Sequence, residues 1–538
     1  MSRDWKKWRK WFGLSVAVVA GCGVFFIPWS LRDPVRVELP FLNGVWVDAF
    51  NQGIFRTEEI DQLVQDIDSA GINAVFLQVR RRGDLLFDSD NEPRMNPPDQ
   101  TGGFDPVNEL QQRLNAVKGD VQLHGWVVCG PVWNRRSMDR LPEGHVLRSH
   151  PEWRMVRDDG ETWDGGEYYL DLGLPQVQKH LQKICAELAA SGRVDGIHLD
   201  YIRYPGRNWG YHPEVIREFQ TLYGTSGKPA PDDSRWMAFR RDKISDLVAS
   251  IYCRIKSIDP TLILSAATIT FAPGPEKASD WFYTSAYAYL FQDWKSWLDR
   301  GILDWAIPMC YFNETRHADN YRKWVDFLSQ WESSSRVAIG QALYLNNFED
   351  NFRQFEYSLT HDAILGRFLG VVGYSYANPV ASSTAGQQSP VMENNVNQPD
   401  QFRDIYPTRM ASSESGESSL MLLSRRPDPP AIRQDSLSLK TGHLAFDIDA
   451  PPESLYGKAA GISIYRDSEL IRTTAINAAG FGCALDIPYG TCEAALLYKA
   501  PASEPREVSR QAVVVQPGKV TYLHFSLQET ASLPESPQ

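Results

Sequence analysis

Metal-ligand spacing is absent from this sequence. Seven cysteines stand in 538 residues with no C-x-x-C pair, and the histidines form neither H-x-H nor H-E-x-x-H. A metal hydrolase therefore lacks its ligands, and neither a metal nor another cofactor is expected. No G-x-S-x-G elbow occurs, which removes the commonest esterase design. No G-x-G-x-x-G follows the first apolar strand, which argues against a doubly wound dinucleotide-binding sheet. Positive charge is in deficit: 55 Lys and Arg against 67 Asp and Glu give a formal charge of −12. That balance argues against a nucleic-acid partner, which needs basic surface to displace counterions.

What is present describes a folded body. Hydrophobic residues make up 43% and charged residues 23% of the chain, and its length suggests two to four domains. Seventeen Trp and 22 Tyr supply flat faces that suit sugar rings, although most such rings are ordinary core. Cys129, Cys185, Cys253 and Cys310 are scattered through core-like segments and read as buried thiols. Cys483 and Cys492 flank a turn-like IPYG and are a candidate bonded pair, which only geometry can decide.

The N-terminus (1–30) reads as an export signal or membrane anchor. Lys6, Lys7, Arg9 and Lys10 precede the apolar run WFGLSVAVVAGCGVFFIPW. Val19-Ala20-Gly21-Cys22 fits a lipoprotein cleavage box, which would lipidate Cys22. The apolar run continues past that cysteine, so an uncleaved helix spanning the bilayer is the alternative. Either places the rest of the chain in the cell envelope, with the membrane as partner through the N-terminus.

From residue 44 short β-rich runs recur: GVWVDAF, NAVFLQV, VQLHGWVV, VDGIHLD, LILSAAT, LDWAIPMCYF, RVAIGQALY and LGVVGYSY. Helical stretches with 3.6-residue apolar spacing separate them. Thr57 is expected to cap the first helix, with Glu58 and Glu59 in its first turn and Gly71 just past its end. Eight strands alternating with helices predict an α/β (β/α)₈ TIM barrel over residues 40–380. A Ser/Asn/Gln-rich linker with a possible barrel-docking segment follows over 381–427. Short alternating runs over 428–528 predict a small immunoglobulin- or fibronectin-like β-sandwich, and 529–538 reads as a disordered tail.

Strand parity then collects a site. Residues two apart share a face, so His198 and Asp200 in VDGIHLD point into the barrel with Asp200 at the C-terminal end. The same parity turns inward Trp46 and Asp48, Gln78 and Arg80, and His124 and Trp126. Four successive strands thus aim polar or aromatic groups at one mouth. Each such group left unpaired costs about 1–3 kcal/mol, so the set reads as functional. Asp195, ahead of the strand, reads as structural. Carboxylates beside aromatic platforms are the equipment of glycoside hydrolysis, in which one acid protonates the leaving oxygen and the other attacks carbon or activates water. The substrate-assisted motif D-G-x-D-x-D-x-E is not matched, because Ile202 stands two past Asp200.

Several long stretches carry a resemblance: GVWVDAFNQGIFRTEEIDQLV, LQVRRRGD, LHGWVV, HPEWRMVRDDGETWDGGEYYLDLG, VDGIHLDYIRYPGRNWGY, LSAATIT, YLFQDWKSWLDRGILDWAIPMCY and AIGQALYLN. With these, the chain resembles the bacterial glycosyl-hydrolase-like family 10, exported barrel proteins of the cell envelope, over about residues 40–380. The resemblance implies action on a polysaccharide, notably peptidoglycan glycan strands stripped of stem peptides. It puts the nucleophilic acid on Asp200. A general acid after strand six falls nearest Glu314 in PMCYFNET, next to Asn313, with Asp48 and Asp84 as competitors. Tyr201 stands where many members carry a second Asp, which puts an adjacent-acid mechanism in doubt. Arg203 is expected to hold the nucleophile ionised and Tyr204 to orient it. Gln78, His124 and His198 are candidates for sugar hydroxyls, and Arg80 for Asp48 or a substrate acid. Trp126, Trp133, Trp163, Trp209 and Tyr311 are candidate stacking platforms. The competing expectation is a carbohydrate-binding or scaffolding barrel that has lost turnover.

Overall fold

The computed structural model describes residues 42–51, 53–95, 104–117, 121–363, 368–379, 440–499 and 504–527. The expected anchor with Cys22, the linker 381–427 and the tail 529–538 lie outside them. Among the described residues no helix is long and apolar enough to cross a membrane.

The chain begins β1 (Leu42–Val47), α1 (Thr57–Ser69), β2 (Ala74–Arg80), α2 (Pro106–Leu114) and β3 (Gln122–Val128). A long loop follows, pinned by the antiparallel pairing of β4 (Pro131–Trp133) with β5 (Tyr168–Tyr169). Then come α3 (Pro175–Ala190), β6 (Gly196–Asp200), α4 (Pro213–Tyr223), α5 (Ser234–Ile258), β7 (Ile263–Ile269) and α6 (Trp294–Asp299). The barrel ends with β8 (Trp305–Cys310), α7 (Glu314–Ser329), β9 (Ala338–Ala342), α8 (Phe348–Ala363) and β10 (Gly370–Tyr374). The eight long strands close in the order β1-β2-β3-β6-β7-β8-β9-β10, with β10 returning to β1. Every pair is parallel. This is the (β/α)₈ architecture, whose loops at strand C-termini form a single mouth.

Alternation sorts the strands as expected. Val45, Val75, Leu77, Leu123, Ile197 and Leu199 face the helices. Trp46, Phe76, Trp126, Trp305, Ile307 and Val372 fill the interior. Such large rings need small neighbours: a Cβ on Gly340 would lie 2.9 Å from the Trp46 ring, and one on Gly196 only 2.3 Å from His124. Thr57 is the first residue of α1 rather than its cap. No side chain caps that end; the Glu59 carboxylate instead ties down the loop before it, accepting the Gly53 and Phe55 N–H groups at 2.8 and 2.9 Å. Asp195 is structural, as expected, for it accepts the Leu123 N–H at 2.8 Å.

Arg80 departs from its expected place, and a β-bulge is the reason. Gln78 pairs with Trp126 but Arg80 with Val127, so the register slips by one between them. Arg80 therefore leaves the inner face. Its guanidinium is fully buried against Glu92 and donates to the Val128 carbonyl, with Nε 2.7 Å from Glu92 Oε2. His180 on α3 reaches the same carboxylate at 2.9 Å. Arg80 thus meets neither Asp48 nor the mouth.

A second unit follows the barrel. Its strands are β11 (Thr441–Asp449), β12 (Ala460–Arg466), β13 (Glu469–Ala475), β14 (Phe481–Pro488), β15 (Gly490–Tyr498), β16 (Arg506–Val515) and β17 (Val520–Ser526). They form two sheets, β14-β11-β17 and β13-β12-β15-β16, around Leu444, Phe446, Ile448, Ile462, Ile464 and Leu496. The sandwich is present, but not with immunoglobulin order. The first strand pairs with the fourth and seventh, and the second with the third and fifth. Period-two alternation specifies strands; it does not say which of them pair. Cys483 and Cys492 lie on different sheets and are not bonded to each other.

The buried Arg80–Glu92–His180 cluster gives a stability test. Arg80 and His180 hold the Glu92 carboxyl down at about 2 despite burial. A depressed carboxyl stabilises the fold above its unfolded value and loses that contribution as pH falls toward the folded one. Glu92→Gln, which strands the Arg80 charge, is expected to cost about 3–5 kcal/mol at pH 7. Chemical denaturation should find that cost shrinking below about pH 4.5.

Candidate active site

Two carboxylates occupy the mouth. Asp200 ends β6, where the Trp126 indole N–H reaches Oδ2 at 3.1 Å and the Tyr201 backbone N–H reaches Oδ1 at 2.7 Å. Tyr201 has φ +49, a left-handed conformation rare outside glycine, so the chain turns sharply directly after the acid. Asp200 is 6% exposed, and burial pushes its carboxyl up to about 6 against these hydrogen bonds and the nearby Arg203 charge.

Asp48 follows β1 and is 4% exposed. Its Oδ1 accepts the Phe50 N–H, the Asn51 N–H and Asn51 Nδ2 at 3.0, 3.1 and 2.8 Å. Its Oδ2 is buried with no hydrogen-bond partner. Burial raises this carboxyl as well, outweighing the three donors. Gln78 supports the same loop, its Oε1 accepting the Ala49 N–H at 2.9 Å.

Tyrosines stand within the field of these acids. The Tyr374 phenol lies in the field of both Asp48 and Asp200, which together with burial pushes it well up. Tyr311 stacks on Tyr374 with centroids 5.7 Å apart, and the Tyr311 phenol also feels Asp200. Tyr344 meets both rings edge-on at 6.3 and 6.0 Å, and Trp126 closes on Tyr374 at 6.2 Å. Arg203 lies over the Tyr201 ring at 4.6 Å. It acts on Asp200 through space, donating its own hydrogen bond to the Tyr204 carbonyl. Buried acids, rings with polar edges and one cation are a set able to grip a sugar and move a proton across it.

The other expected site residues do different work. His198 is fully buried and accepts from Trp46 Nε1 at 3.1 Å. Its Nδ1 therefore carries the proton and donates to Ser265 Oγ at 2.9 Å. His124 lies among the interior rings, stacked on Phe76, and burial pulls it down to about 3. Both histidines are neutral interior rings, not ligands for sugar hydroxyls. Glu314 begins α7 with both oxygens engaged, by Arg322 at 2.6 Å and Gln354 at 3.2 Å. Asn313 caps that helix and donates to the Leu345 carbonyl at 2.7 Å. The acid that shares Tyr374 with Asp200 is Asp48, not Glu314. Asp84 is held by Arg81, whose Nη2 lies 2.6 Å from Oδ2. Tyr204 is buried beneath the loop against Phe291, with no contact to Asp200 that would orient it.

Of the expected platforms, Trp126 and Tyr311 reach the mouth. Trp133 donates to the Ser137 carbonyl at 2.9 Å, Trp163 packs edge-on to Tyr168, and Trp209 is buried beside Arg157. Those three hold the long loops together. Tyr344 and Tyr374 were not singled out from the sequence, and Tyr201 only as standing where many members carry a second Asp. Tyr374 lies at the inward parity of β10, and Tyr344 two residues past Ala342 of β9, so parity applied to the last two strands would have found them.

The family pattern described as glycosyl hydrolase-like 10 matches residues 41–354, the barrel from β1 into the first half of α8 and short of β10. The chain belongs to that family. Glycosyl hydrolase YngK of Bacillus subtilis (strain 168) is 25% identical over 361 residues, 62% of this chain and 66% of that protein. Glycosyl hydrolase DigH of Escherichia coli (strain K12) is 26% identical over 310 residues, 53% of this chain and 65% of that one. The chain thus spans slightly less than two thirds of these relatives. Among solved structures, the PgaB (BpsB) glycoside hydrolase domain of Bordetella bronchiseptica aligns with a TM-score of 0.47 at 14% identity, over 69% of this chain and 99% of that one. The sandwich lies outside the family match.

The raised Asp200 carboxyl carries a signature in stability. A carboxyl whose folded value exceeds its unfolded one costs the fold stability as pH rises between the two. Wild type should therefore lose about 3 kcal/mol relative to Asp200→Asn between about pH 4 and pH 7. Parallel urea titrations across that range measure it; two curves that run together would mean Asp200 is not desolvated.

Proposed function

We propose that this protein is a glycoside hydrolase of the bacterial cell envelope, acting on a polysaccharide such as peptidoglycan glycan strands. The reading rests on one observation above the rest: two buried carboxylates stand at the C-terminal ends of β1 and β6, Asp200 held by two donors and Asp48 with one oxygen left unpartnered. Family membership supports glycosidic chemistry. The basic flank and apolar run at the N-terminus support the envelope as location.

In this reading Asp200 is the carboxylate that attacks the anomeric carbon or activates water. Two donors fix its oxygens, and a value of about 6 leaves it mostly ionised at pH 7. Asp48 presents its unpartnered Oδ2 as the acid that protonates the leaving oxygen. Burial keeps the proton on Asp48 longer than on an ordinary aspartate. Tyr311 and Tyr374 offer ring faces and hydroxyls to the sugar between the acids. Arg203 favours the ionised form of Asp200.

Release of reducing ends from peptidoglycan sacculi, with and without stem peptides, tests the proposal. Asp200→Asn and Asp48→Asn are each expected to lose about 10²–10⁴-fold in kcat/KM, while Asp84→Asn stays within a few-fold of wild type. The acid limb of the wild-type profile should fall through about pH 6, as Asp200 takes up its proton. Glycan binding without any released ends, in wild type and variants alike, would replace the hydrolase with a binding barrel.

A further inference from the structure

The sandwich docks on the barrel through the outer face of the β14-β11-β17 sheet. Ala484 and Ile487 of β14 point into the sandwich core. Phe481, Cys483 and Leu485 point the other way and join the barrel's hydrophobic cluster, with Val520 and Tyr522 of β17 beside them. The barrel element they meet is α5. On it, Arg254 lies 5.6 Å from the centroid of the Tyr522 ring, and the Asn477 side chain ahead of β14 acts on the buried Asp246 carboxyl. Between these contacts, the fully buried Cys253 of α5, next to Arg254, lies beside Cys483, which shares a row of the sheet with Tyr522 through Ala445. Each thiol shifts the other's hold on its proton.

We propose that Cys253 and Cys483 are a cross-linking site, where a disulfide fastens the sandwich covalently to the barrel. Three geometric facts support it. Arg254, next to Cys253, lies over Tyr522, which shares a sheet row with Cys483; the two cysteines sit on elements from different folding units; and the surrounding apolar contacts hold those elements together before any bond forms. Neither of the neighbouring alternatives has this arrangement. Cys492 lies on the opposite sheet with its sulfur accepting from Arg466, and Cys129 donates to the Val127 carbonyl.

The oxidant required is a disulfide, either of a small thiol or of a carrier protein. The Cys483 thiolate attacks one sulfur of it, forming a mixed disulfide and releasing one thiolate. The Cys253 thiol then gives up its proton and attacks Sγ of Cys483, forming the protein disulfide and expelling the second thiolate. Two protein S–H bonds are lost, and the two electrons reduce the oxidant's S–S bond to two thiols. Access sets the order, since Cys483 is half-buried and Cys253 fully buried. Charge agrees with access: the Cys253 thiol and the Arg300 charge favour the Cys483 thiolate, whereas Cys253 is pushed up by that same contact and by burial.

The test uses the folded full-length protein exposed to glutathione disulfide, followed by alkylation, digestion and mass spectrometry. A linked Cys253–Cys483 peptide is expected, lost on adding dithiothreitol. The oxidised protein should unfold about 5 °C higher than the reduced one. Cys483→Ser should abolish the linked peptide and the rise, and Cys492→Ser should keep both. Cys253→Ala should repeat the loss, which covers the case in which Cys483→Ser fails to fold. Recovery of Cys483 linked to Cys492, held only as a glutathione adduct, or alkylated alongside Cys253 would overturn the assignment.

Discussion

A hydrogen bond across the inside of the barrel underlies the site. Trp46 of β1 donates to His198 of β6 at 3.1 Å, joining strands that do not neighbour each other in the sheet. The bond satisfies an indole that would otherwise be buried unpaired and one nitrogen of the imidazole, and burial keeps that histidine neutral. Phe76 and His124 stack beneath it, and Trp305 packs against His124. The interior is therefore a solid stack of rings. The carboxylates above the stack are buried and desolvated.

From that dry floor follows the electrostatics of the rim. Asp200 and Asp48 receive five donated hydrogen bonds between them, enough in water-facing surroundings to pull both below an ordinary aspartate. Burial wins over those donors in each case. Tyr374 is placed by the β1–β10 register, which sets it opposite Trp46, so one ring adjoins both the floor and the two acids. The structural and the chemical halves of the barrel thus share residues. His198 and Gln78, expected as sugar ligands, instead fix the floor and the Asp48 loop on which the acids depend.

The barrel was largely legible in the sequence. All eight strand segments lie within two or three residues of the runs read from composition and alternation, because each needs only local pattern to declare itself. The inward set followed from parity: Trp46, Asp48, Gln78, His124, Trp126, His198 and Asp200 all face inside or onto the mouth. Parity failed at Arg80, where one bulge reversed the side chain and sent a cation to Glu92. It could not rank depth either. His124 and Trp126 share a face, yet one lies in the interior stack and the other holds the nucleophile candidate. Glu314 was favoured by position after the sixth barrel strand, and Arg322 eight residues on engages its carboxylate instead.

The amino-acid order alone determined the number of strands, their alternation and the acids able to face inward, since these depend on neighbours one to four residues away. Tertiary structure decided which acids act on Tyr374 together, how far burial outweighs their hydrogen bonds, and which cysteine faces which across the sandwich junction. Those outcomes depend on register, bulges and docking, which bring together residues hundreds of positions apart through packing that no local pattern encodes.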